Sequence, residues 1–469
     1  MKKDLLKQLR NGEKLELKDQ ISLIFILSIP AILAQISSII MQYIDASMVG
    51  RLGADDSAAI GLVSSSTWLF GGLCSAASIG FTVQIAHKIG AGDEQGARNI
   101  VKVGLMTTLC FSTLLAVLGT SLSGILPKWL GGESEILYAA SSYFMIYTLF
   151  LPVHQLNHVS GGMLQCSGNM KLPSILNILM CFLDVIYNFL LIFPTRQITV
   201  LGSKITVIGA GMGVKGAALG TALAEVTVAF FMLSHLLFKS ELLHLRKGEK
   251  LKFSSADLIK AVKIALPVGA EQTIMCGAYI ASTKIVSPLG TIAIAANSFS
   301  VTAESLCYMP GYGIGTAATT IIGQSIGAGR KELTKRLGWL STVMGMLIMA
   351  ASGALMYACA PLMIGLLSPD TAIRSLGAEV LRIEAFAEPM YAASIVASGV
   401  FRGAGDTFIP SCLNFCSMWL VRIPLSAYLA PRLGLRGVWI AMCIELCVRG
   451  ILFLIRLAMW KVSDAEKKK

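Results

Sequence analysis

The stretch IPAILAQISSIIMQYIDASMVGRLG, residues 29–53, recurs in outline 237 residues later in the same chain. The matched positions are Pro30, Gln35, Leu52 and Gly53, which return as Pro267, Gln272, Leu289 and Gly290. The register holds without a gap from Pro30 to Pro194, whose mate is Pro431, and the first half then carries 16 extra residues. Duplicated halves of this size in an apolar chain are typical of a membrane transporter with its cavity at the repeat interface.

The composition is that of a membrane protein. Mean hydropathy is +0.70, and charged residues make up 14% of the chain, against about 25% in a soluble domain. The 11 cysteines lie mostly inside apolar runs, so we interpret them as packing residues and expect neither disulfides nor a metal site. Nothing in the sequence suggests a bound cofactor, and the only small ion we expect is a coupling H⁺ or Na⁺.

Twelve apolar runs are long enough to cross a bilayer, which takes about 20 helical residues. They cover residues 18–48, 57–86, 100–123, 135–160, 172–194, 214–238, 257–287, 291–325, 336–362, 372–400, 408–430 and 436–460. Six spans per half is an even number, so both halves enter the membrane in the same orientation. The predicted fold is an all-α polytopic membrane protein with two six-helix lobes.

Lysine and arginine predict the sidedness of these spans. With the N-terminus in the cytoplasm, 27 of the 39 basic residues fall in inner segments and nine in outer ones. This bias favours two cytoplasmic termini and insertion in the inner (plasma) membrane. The net charge of +12 then faces lipid headgroups rather than nucleic acid. The predicted divisions are a cytoplasmic segment 1–17, an N-lobe 18–238, a cytoplasmic connector 239–256, a C-lobe 257–460 and a cytoplasmic tail 461–469.

The 16 extra residues contain two β-branched runs that flank Gly202-Ser203. This pattern predicts an outer β-hairpin over Gln197–Gly209. The IGAG segments at residues 89–92 and 326–329 superficially resemble phosphate loops, but they follow helices and lack the G-x-x-x-x-G-K-[ST] pattern. We interpret them as cytoplasmic helix ends.

Three features together resemble the MATE (multidrug and toxic compound extrusion) family. These are the opening IPAILAQISSIIMQYIDASMVGRLG, the run GVFRGAGDTFIP with WLVRIPL in the second half, and the six-plus-six repeat. The resemblance covers the chain from about Ile21 to Trp460. It implies two six-helix lobes around a central cavity, and export of organic, often cationic, compounds against entering Na⁺ or H⁺.

A candidate cation site follows from acids inside the first-half spans. Asp45 lies in the outer third of span 1, while Asp184 and Asn188 share one face of span 5. Thr221 enters span 6 from outside at a similar depth. Two carboxylates, an amide and a hydroxyl at one level suit a cation or a shared proton. The alternatives are an Asp45 that touches outer headgroups and an Asp184 bonded within the bundle.

The family resemblance extends to these residues with one departure. Asp45 matches the family's acid in span 1, but the span-5 order is often Asn then Asp, whereas DVIYNFLLIF has Asp184 then Asn188. This exchange moves the second carboxylate about 5.4 Å inward. We expect it to weaken a Na⁺ cage more than proton sharing, so H⁺ is favoured as the coupling ion and Na⁺ remains the alternative.

Other polar residues are expected to line the first lobe. Tyr143 and Asn157 in span 4 resemble the lining residues of the family, and Asn177 shares the face of Asp184. His154 and His158 lie one turn apart nearby. A proton relay is one interpretation, and two neutral histidines that bond their neighbours is the favoured one.

The acidic residues in the spans of the second half have different expected roles. Glu388 and Arg422 lie near mid-depth and are expected to form a structural charge pair. Glu445 and Arg449, four residues apart, are expected to neutralise each other. Glu271 and Glu304 have no evident partner in the sequence, so they are candidates for an acidic cavity wall that attracts cations, with structural pairing as the alternative.

The sequence therefore favours a secondary antiporter for organic cations that works by alternating access, with Pro30 as a hinge in span 1. A flippase for lipid-linked saccharides is the alternative, although the mainly acidic intramembrane charges favour cationic cargo. An enzyme is disfavoured because the sequence has no HExxH motif and no paired His/Asp cluster on a span. Expected partners are small organic cations and membrane lipid, with neither nucleic acid nor an obligate protein partner.

Overall fold

A computed structural model describes residues 5–200, 203–246, 249 and 252–462. In the first half, the helices are α1 (Leu5–Arg10), α2 (Leu17–Gly50), α3 (Ala54–Gly90), α4 (Glu94–Leu122), α5 (Leu126–Trp129), α6 (Leu137–Leu149), α7 (Leu151–Cys166), α8 (Lys171–Leu191) and α9 (Val214–Ser234). A π-helical turn, His235–Lys239, extends α9. Strands β1 (Pro194–Val200) and β2 (Ser203–Ala210) separate α8 from α9.

The second half is helical in all of its regular elements within the described ranges. Its helices are α10 (Ser255–Val286), α11 (Thr291–Gly327), α12 (Lys331–Leu367), α13 (Thr371–Glu384), α14 (Glu388–Gly403), α15 (Phe408–Cys416), α16 (Ile423–Leu433) and α17 (Leu435–Met459). A 3₁₀ turn, Ser287–Leu289, follows α10, and a π-helical segment, Ser417–Arg422, joins α15 to α16. The predicted all-α polytopic class is confirmed.

The described part of the chain holds nine helices long and apolar enough to cross a membrane. They include α2, with a mean hydropathy of 2.3 in its most apolar window, and α17, with 2.2. Each of the twelve predicted spans coincides with helix, but spans 4 and 10 are divided and α11, at span 8, is not among the nine. The count of twelve uninterrupted spans is therefore not reproduced.

Spans 4 and 10 are divided at equivalent points of the repeat. Span 4 becomes α6 and α7, and Pro152 lies in the first turn of α7. Span 10 becomes α13 and α14, and Pro389, the repeat mate of Pro152, lies in the first turn of α14. Proline has no N–H to donate and suits the start of a helix rather than its interior. The breaks therefore follow from the same residue in both halves.

The predicted hairpin is present. Strands β1 and β2 pair antiparallel, with Ile198 opposite Ile205 and Val200 opposite Ser203. The register is irregular between Pro194 and Arg196. The residues that close the turn, 201 and 202, lie outside the described residues, and the outer location of the hairpin stays a prediction.

The helices pack into two compact units. Unit 1 comprises Met1–Ile36, Val83–Asp93 and Val262–Lys469, and unit 2 comprises Ser37–Thr82 and Glu94–Ala261. Helices α2 and α3 are therefore each divided between the two units, with one segment in unit 1 and one in unit 2. The lobes predicted at 18–238 and 257–460 were defined by the repeat rather than by packing, and their boundaries stay a prediction.

Each unit has its own apolar core. In unit 2, Phe70 and Phe144 stack edge to face at 5.7 Å beside the buried Leu151. In unit 1, the fully buried Trp439 packs with residues of α11, α12 and α13. Many large apolar side chains are instead exposed, such as Phe182 and Ile186 on α8. Exposed apolar faces of this kind are what lipid contact requires.

Candidate cation site

Helix α8 buries its polar face and exposes its apolar one. Asp184 is 0% exposed and Asn188 is 1% exposed, whereas Phe182 is 66% exposed. Because residues four apart lie on one side of a helix, Asp184 and Asn188 point together into unit 2. The second segment of α2, from Ser37 onward, belongs to the same unit and carries Asp45.

Asn188 joins the two carboxylates. Its Nδ2 donates to Asp45 Oδ1 at 2.9 Å and to Asp184 Oδ2 at 3.1 Å. Two acceptor atoms, Asp184 Oδ1 and Asn188 Oδ1, are buried without a hydrogen-bond partner among the described residues. A buried oxygen without a donor is costly. The site therefore holds oxygen atoms that a proton or a cation would satisfy.

A glycine on α9 makes the room that Asn188 needs. A Cβ at Gly220 would collide with Asn188 Oδ1, and one at Gly216 would meet Leu191 O at 2.5 Å. These two glycines are four residues apart, so they form one smooth stripe on α9 that faces α8. Gly220 is not among the predicted site residues, although a small residue at every fourth position is a known signal of close packing between membrane helices.

Thr221, the fourth predicted ligand, lies beside the pair. Its hydroxyl donates to the Ala217 carbonyl of its own helix at 3.3 Å. Thr221 and Asp45 both contribute to the electrostatic environment of Asp184. The structure thus brings all four predicted residues together, with Asn188 as the bridging group and Thr221 at the edge.

The predicted lining residues lie at different distances from this centre. Tyr143 of α6 interacts electrostatically with Asp45 and Asp184. Asn157 of α7 contacts Met180 Sδ through Nδ2 at 3.7 Å, and its Oδ1 is buried without a partner among the described residues. Asn177 is half-buried on α8, eleven residues before Asn188.

His154 pairs with an acid that the sequence did not assign to it. His154 Nδ1 lies 2.8 Å from Glu225 Oε1 on α9, and the His154 and His158 rings are 5.5 Å apart. The favoured interpretation, histidines that bond their neighbours, matches this geometry for His154. Only the spatial adjacency of α7 and α9 reveals the partner, because the two residues are 71 positions apart.

In unit 1, Glu271 has partners. Ser411 Oγ donates to Glu271 Oε2 at 2.6 Å, and Asn414 Nδ2 donates to Glu271 Oε1 at 2.7 Å. The donors come from α15 and the acid from α10. Glu304, the second predicted wall residue, is buried on α11 at 6% exposed. Glu271 and Glu304 thus occupy different settings, one bonded and half-buried, the other buried.

The predicted charge pair between Glu388 and Arg422 is not formed in this structure. Both Glu388 carboxylate oxygens are buried without a hydrogen-bond partner among the described residues. Arg422 Nη2 lies 2.6 Å from Met442 Sδ instead. Arg422 ends a π-helical segment, where one residue per turn is added and side chains are re-aimed.

Glu445 and Arg449 form the pair expected from their spacing. Arg449 Nε and Nη2 donate to Glu445 Oε1 and Oε2 at 2.7 and 2.8 Å, and Ser417 Oγ donates to Glu445 Oε1 at 2.7 Å. A bidentate contact with a third donor compensates a buried carboxylate well. These two residues therefore hold α17 against the π-helical segment Ser417–Arg422.

The arrangement can bind a small cation or hold a proton. Carboxylate and amide oxygens from Asp45, Asp184 and Asn188 are the ligands that hard cations prefer. Among the residues described, no group of three or more His, Cys, Asp or Glu is placed to hold a metal ion. A duplicated membrane protein with helical spans and paired carboxylates inside its bundle has the architecture of a membrane transporter.

The family comparison agrees with that class. The family described as MatE matches residues 30–190 and 267–428, which is one match in each half of the repeat. The chain belongs to the MatE family.

Individual relatives are distant and cover the chain well. A probable multidrug resistance protein NorM of Thermotoga maritima is 27% identical over 439 residues, which is 92% of this chain and 90% of the relative. The multidrug resistance protein PmpM of Pseudomonas aeruginosa is 23% identical and covers 95% of this chain and 92% of its own length.

Solved structures show the same fold. One, titled an outward-facing conformation of a multidrug resistance MATE family transporter of the MOP superfamily, has a TM-score of 0.87 at 21% identity and covers 100% of both chains. Another, titled MATE in the bent conformation, has a TM-score of 0.84 at 22% identity and covers 100% of this chain and 99% of that one.

Proposed function

We propose that this protein is a cation-coupled antiporter that exports organic cations by alternating access. The observation that carries the proposal is the Asn188 amide between Asp45 and Asp184, with buried oxygens that lack partners. Relatives named as multidrug resistance proteins support the export of drugs. The positive-inside distribution supports cytoplasmic termini and an inner-membrane location.

Coupling follows from charge repulsion between two helices. Without a cation, Asp45 and Asp184 carry like charges in a poorly hydrated place and repel each other. A bound cation removes that repulsion and draws α2 toward α8. The position of α2 therefore depends on cation occupancy, which is what a ligand-biased two-state element requires.

Pro30 is the point at which we expect α2 to bend when a cation binds. It lies inside the helix, where it removes one backbone hydrogen bond. Asp45 lies on the far side of this weak point along the same helix. A force on Asp45 is therefore expected to bend α2 near Pro30 rather than to move the whole helix.

We favour H⁺ as the coupling ion. The Asn188 Nδ2 group donates to both carboxylates, so the position between them is already filled by a donor. A proton fits this arrangement by sitting on one carboxylate, whereas Na⁺ would need the amide to present its oxygen. Thr221 and Tyr143 supply further oxygens, which keeps Na⁺ as the alternative.

Cationic cargo is supported by the acids of unit 1. Glu271 is half-buried, and Glu388 is buried with no hydrogen-bond partner among the described residues, whereas Glu304 interacts electrostatically with Arg422. Uncompensated negative charge attracts cations and repels anions. This charge balance disfavours the flippase alternative, whose pyrophosphate cargo calls for a basic cavity.

The test is transport in proteoliposomes. A fluorescent organic cation would be followed with a pH gradient at fixed Na⁺, and then with a Na⁺ gradient at fixed pH. We expect the pH gradient alone to drive uptake against the cation's own gradient. Transport that follows Na⁺ alone would reassign the ion, and transport that responds to neither gradient would overturn the antiporter proposal. Empty liposomes control for passive leak.

A further inference from the structure

A histidine and a glutamate of unit 2 form a pair that the candidate cation site does not use. His154 Nδ1 on α7 lies 2.8 Å from Glu225 Oε1 on α9, and only 15% of the Glu225 side chain is exposed. Both residues lie inside predicted spans, where an ionisable group is costly and is usually functional. The pair therefore needs an explanation besides packing.

Glu225 lies near the candidate cation site along one helix. It follows Thr221 by four residues, so the two share a face of α9 and are about 6 Å apart along its axis. Glu225 also interacts electrostatically with Asp184. The carboxylates of the cation site therefore respond to any change of charge on the pair.

The ionisable groups that interact electrostatically with Glu225 come from neighbouring helices of unit 2: Cys74 of α3, Tyr143 and Tyr147 of α6, His158 of α7 and Asp184 of α8. Tyr143 interacts with Asp45 as well, so it is near both the pair and the cation site. Thiols and phenols are uncharged near neutral pH. A proton on the pair would therefore mainly reduce the repulsion between Glu225 and Asp184.

The pair can take up one proton from water. With its hydrogen on Nδ1, neutral His154 donates to the Glu225 carboxylate and leaves Nε2 as an acceptor. A proton that enters at Nε2 gives an imidazolium beside the carboxylate, so the charge of the pair changes from −1 to zero. Gly71 of α3 lies on this side of the ring, where a Cβ would be 3.8 Å from His154 Nε2 and 2.9 Å from Tyr147 Oη.

We propose that the His154–Glu225 pair is a second proton-binding site of unit 2, and that two protons enter for each organic cation exported. One proton is held by Asp45 and Asp184, and the other by this pair. The inference rests on the proposed H⁺-coupled export. Because the pair lies on α7 and α9, the movement of α2 still depends on the Asp45–Asp184 site, and the pair adds a second proton to the same exchange.

The number of protons decides whether the membrane potential drives transport. Exchange of one proton for one monovalent cation moves no net charge, whereas exchange of two protons moves one. One net charge across about 60 mV corresponds to about a tenfold concentration ratio at equilibrium. The response to a potential at equal pH therefore distinguishes the two stoichiometries.

The experiment follows ethidium, a monovalent organic cation, in proteoliposomes of the full-length chain. Valinomycin and a K⁺ gradient set an inside-positive potential of about 60 mV, with the same strongly buffered pH on both sides. This potential alone expels ethidium. We expect the wild type instead to accumulate ethidium inside about tenfold, because two protons leave for each ethidium that enters.

Variants assign this response to the pair. Glu225→Gln should keep accumulation driven by an inside-acid pH gradient and should lose accumulation driven by the potential. The double variant Glu225→Gln, His154→Gln should behave in the same way, and its two amides can still bond each other if the single variant is unstable. The matched control is Glu241→Gln, His244→Gln in the segment that links the halves, where Glu241 is exposed and His244 Nδ1 lies 2.8 Å from the Ser240 carbonyl oxygen.

A binding measurement gives the same count without transport. Ethidium would be added to the purified protein in weakly buffered detergent solution with a pH indicator. Because cation and protons displace each other, the wild type should release about two protons per ethidium bound, and Glu225→Gln about one. The control double variant should release as many protons as the wild type.

The outcomes separate this inference from the proposed function. A wild type that the pH gradient drives but the potential does not would overturn the second proton and leave the antiporter proposal standing. A wild type that neither drives would overturn both. A Glu225→Gln protein with weaker ethidium binding but the wild-type potential response and proton release would assign Glu225 to cargo binding and contradict the inference.

Discussion

Asn188 Nδ2 lies 2.9 Å from Asp45 Oδ1, so an amide on α8 holds a carboxylate of α2 that is 143 positions away in the sequence. The same nitrogen donates to Asp184 Oδ2. One side chain thus connects the mobile element that we propose, α2, to the buried acid of α8.

Exchanging the two α8 groups tests whether the ligand set matters more than its order. Asp184→Asn alone should abolish gradient-driven export. The double variant Asp184→Asn, Asn188→Asp should recover part of it, because one carboxylate and one amide are again present on the same face. Export would be measured in proteoliposomes at matched protein content. A double variant as inactive as Asp184→Asn would contradict the equivalence of the two orders.

Gly220→Ala should impair export indirectly, by displacing Asn188, because glycine has no side chain that could bind the cation. The added methyl would collide with Asn188 Oδ1 and displace the amide from Asp45. Overpacking of this kind lowers the free energy of unfolding by about 1–3 kcal/mol. The melting temperature should therefore also fall by several degrees. Gly61→Ala is the matched control, since a Cβ there meets nothing within 4 Å. Equal export from both glycine variants would contradict the role of Gly220.

Pro30 should act as a hinge that responds to the cation. Spin labels at Ile26 and Ile40, which are both exposed on α2, would report its bending. They would be attached through non-natural amino acids, because the chain has 11 cysteines. A straight helix spaces these positions by about 21 Å. We expect a shorter distance in one pH state of the wild type, and a single distance at all pH values in Pro30→Ala.

Pro361→Ala serves as the control for the hinge, because Pro361 also lies inside a long helix, α12. It should leave both the α2 distances and export unchanged. A Pro30→Ala protein with full export and with wild-type distance changes would show that α2 does not bend at this proline.

The connector between the halves should stabilise unit 2 in a pH-dependent way. Arg98, 5% exposed, donates through Nε to Glu249 Oε1 at 2.9 Å, and Lys102 Nζ lies 3.6 Å from Glu249 Oε2. Burial raises the pKa of Glu249, but the hydrogen bond and charge of Arg98, together with Lys102, lower it more, so the folded-state pKa is below its usual value.

The sign of the effect follows from this lowered pKa. A carboxylate whose pKa is lowered on folding adds stability above its unfolded pKa of about 4.3, and that stability is lost as the pH falls through the folded-state pKa. Glu249→Gln should therefore have a lower melting temperature than the wild type at pH 7, and this difference in melting temperature should vanish in strong acid. Glu241→Gln, an exposed acid of the same connector, should melt as wild type does at both pH values.

The repeat and the composition were enough to predict most of the architecture. Long apolar runs predicted helix in all twelve spans, and the β-branched runs around Gly202 predicted the hairpin. The breaks in spans 4 and 10 could be inferred only in part. Pro152 and Pro389 mark the second helix of each pair, but the end of α13 at Glu384 depends on packing.

The candidate site was predictable in its members but not in its contacts. Depth along the spans predicts that Asp45, Asp184 and Asn188 lie together. The bridging role of Asn188 depends on the room that Gly220 leaves, which is a three-dimensional fact. Likewise, Arg422 faces Met442 rather than Glu388 because a π-helical segment turns it, and the sequence contains no reliable signal for such a segment.

The central claim is that Asp184 couples cation movement to export, rather than only helping the protein to fold. The most direct measurement compares two activities of Asp184→Asn in the same proteoliposomes: substrate counterflow, which needs no ion gradient, and concentrative export driven by a pH gradient. Asp55→Asn, the same change at an exposed acid of α3, is the control. The account predicts that Asp184→Asn retains counterflow and loses concentrative export, while Asp55→Asn retains both. Concentrative export at the wild-type rate from well-folded Asp184→Asn protein would contradict it.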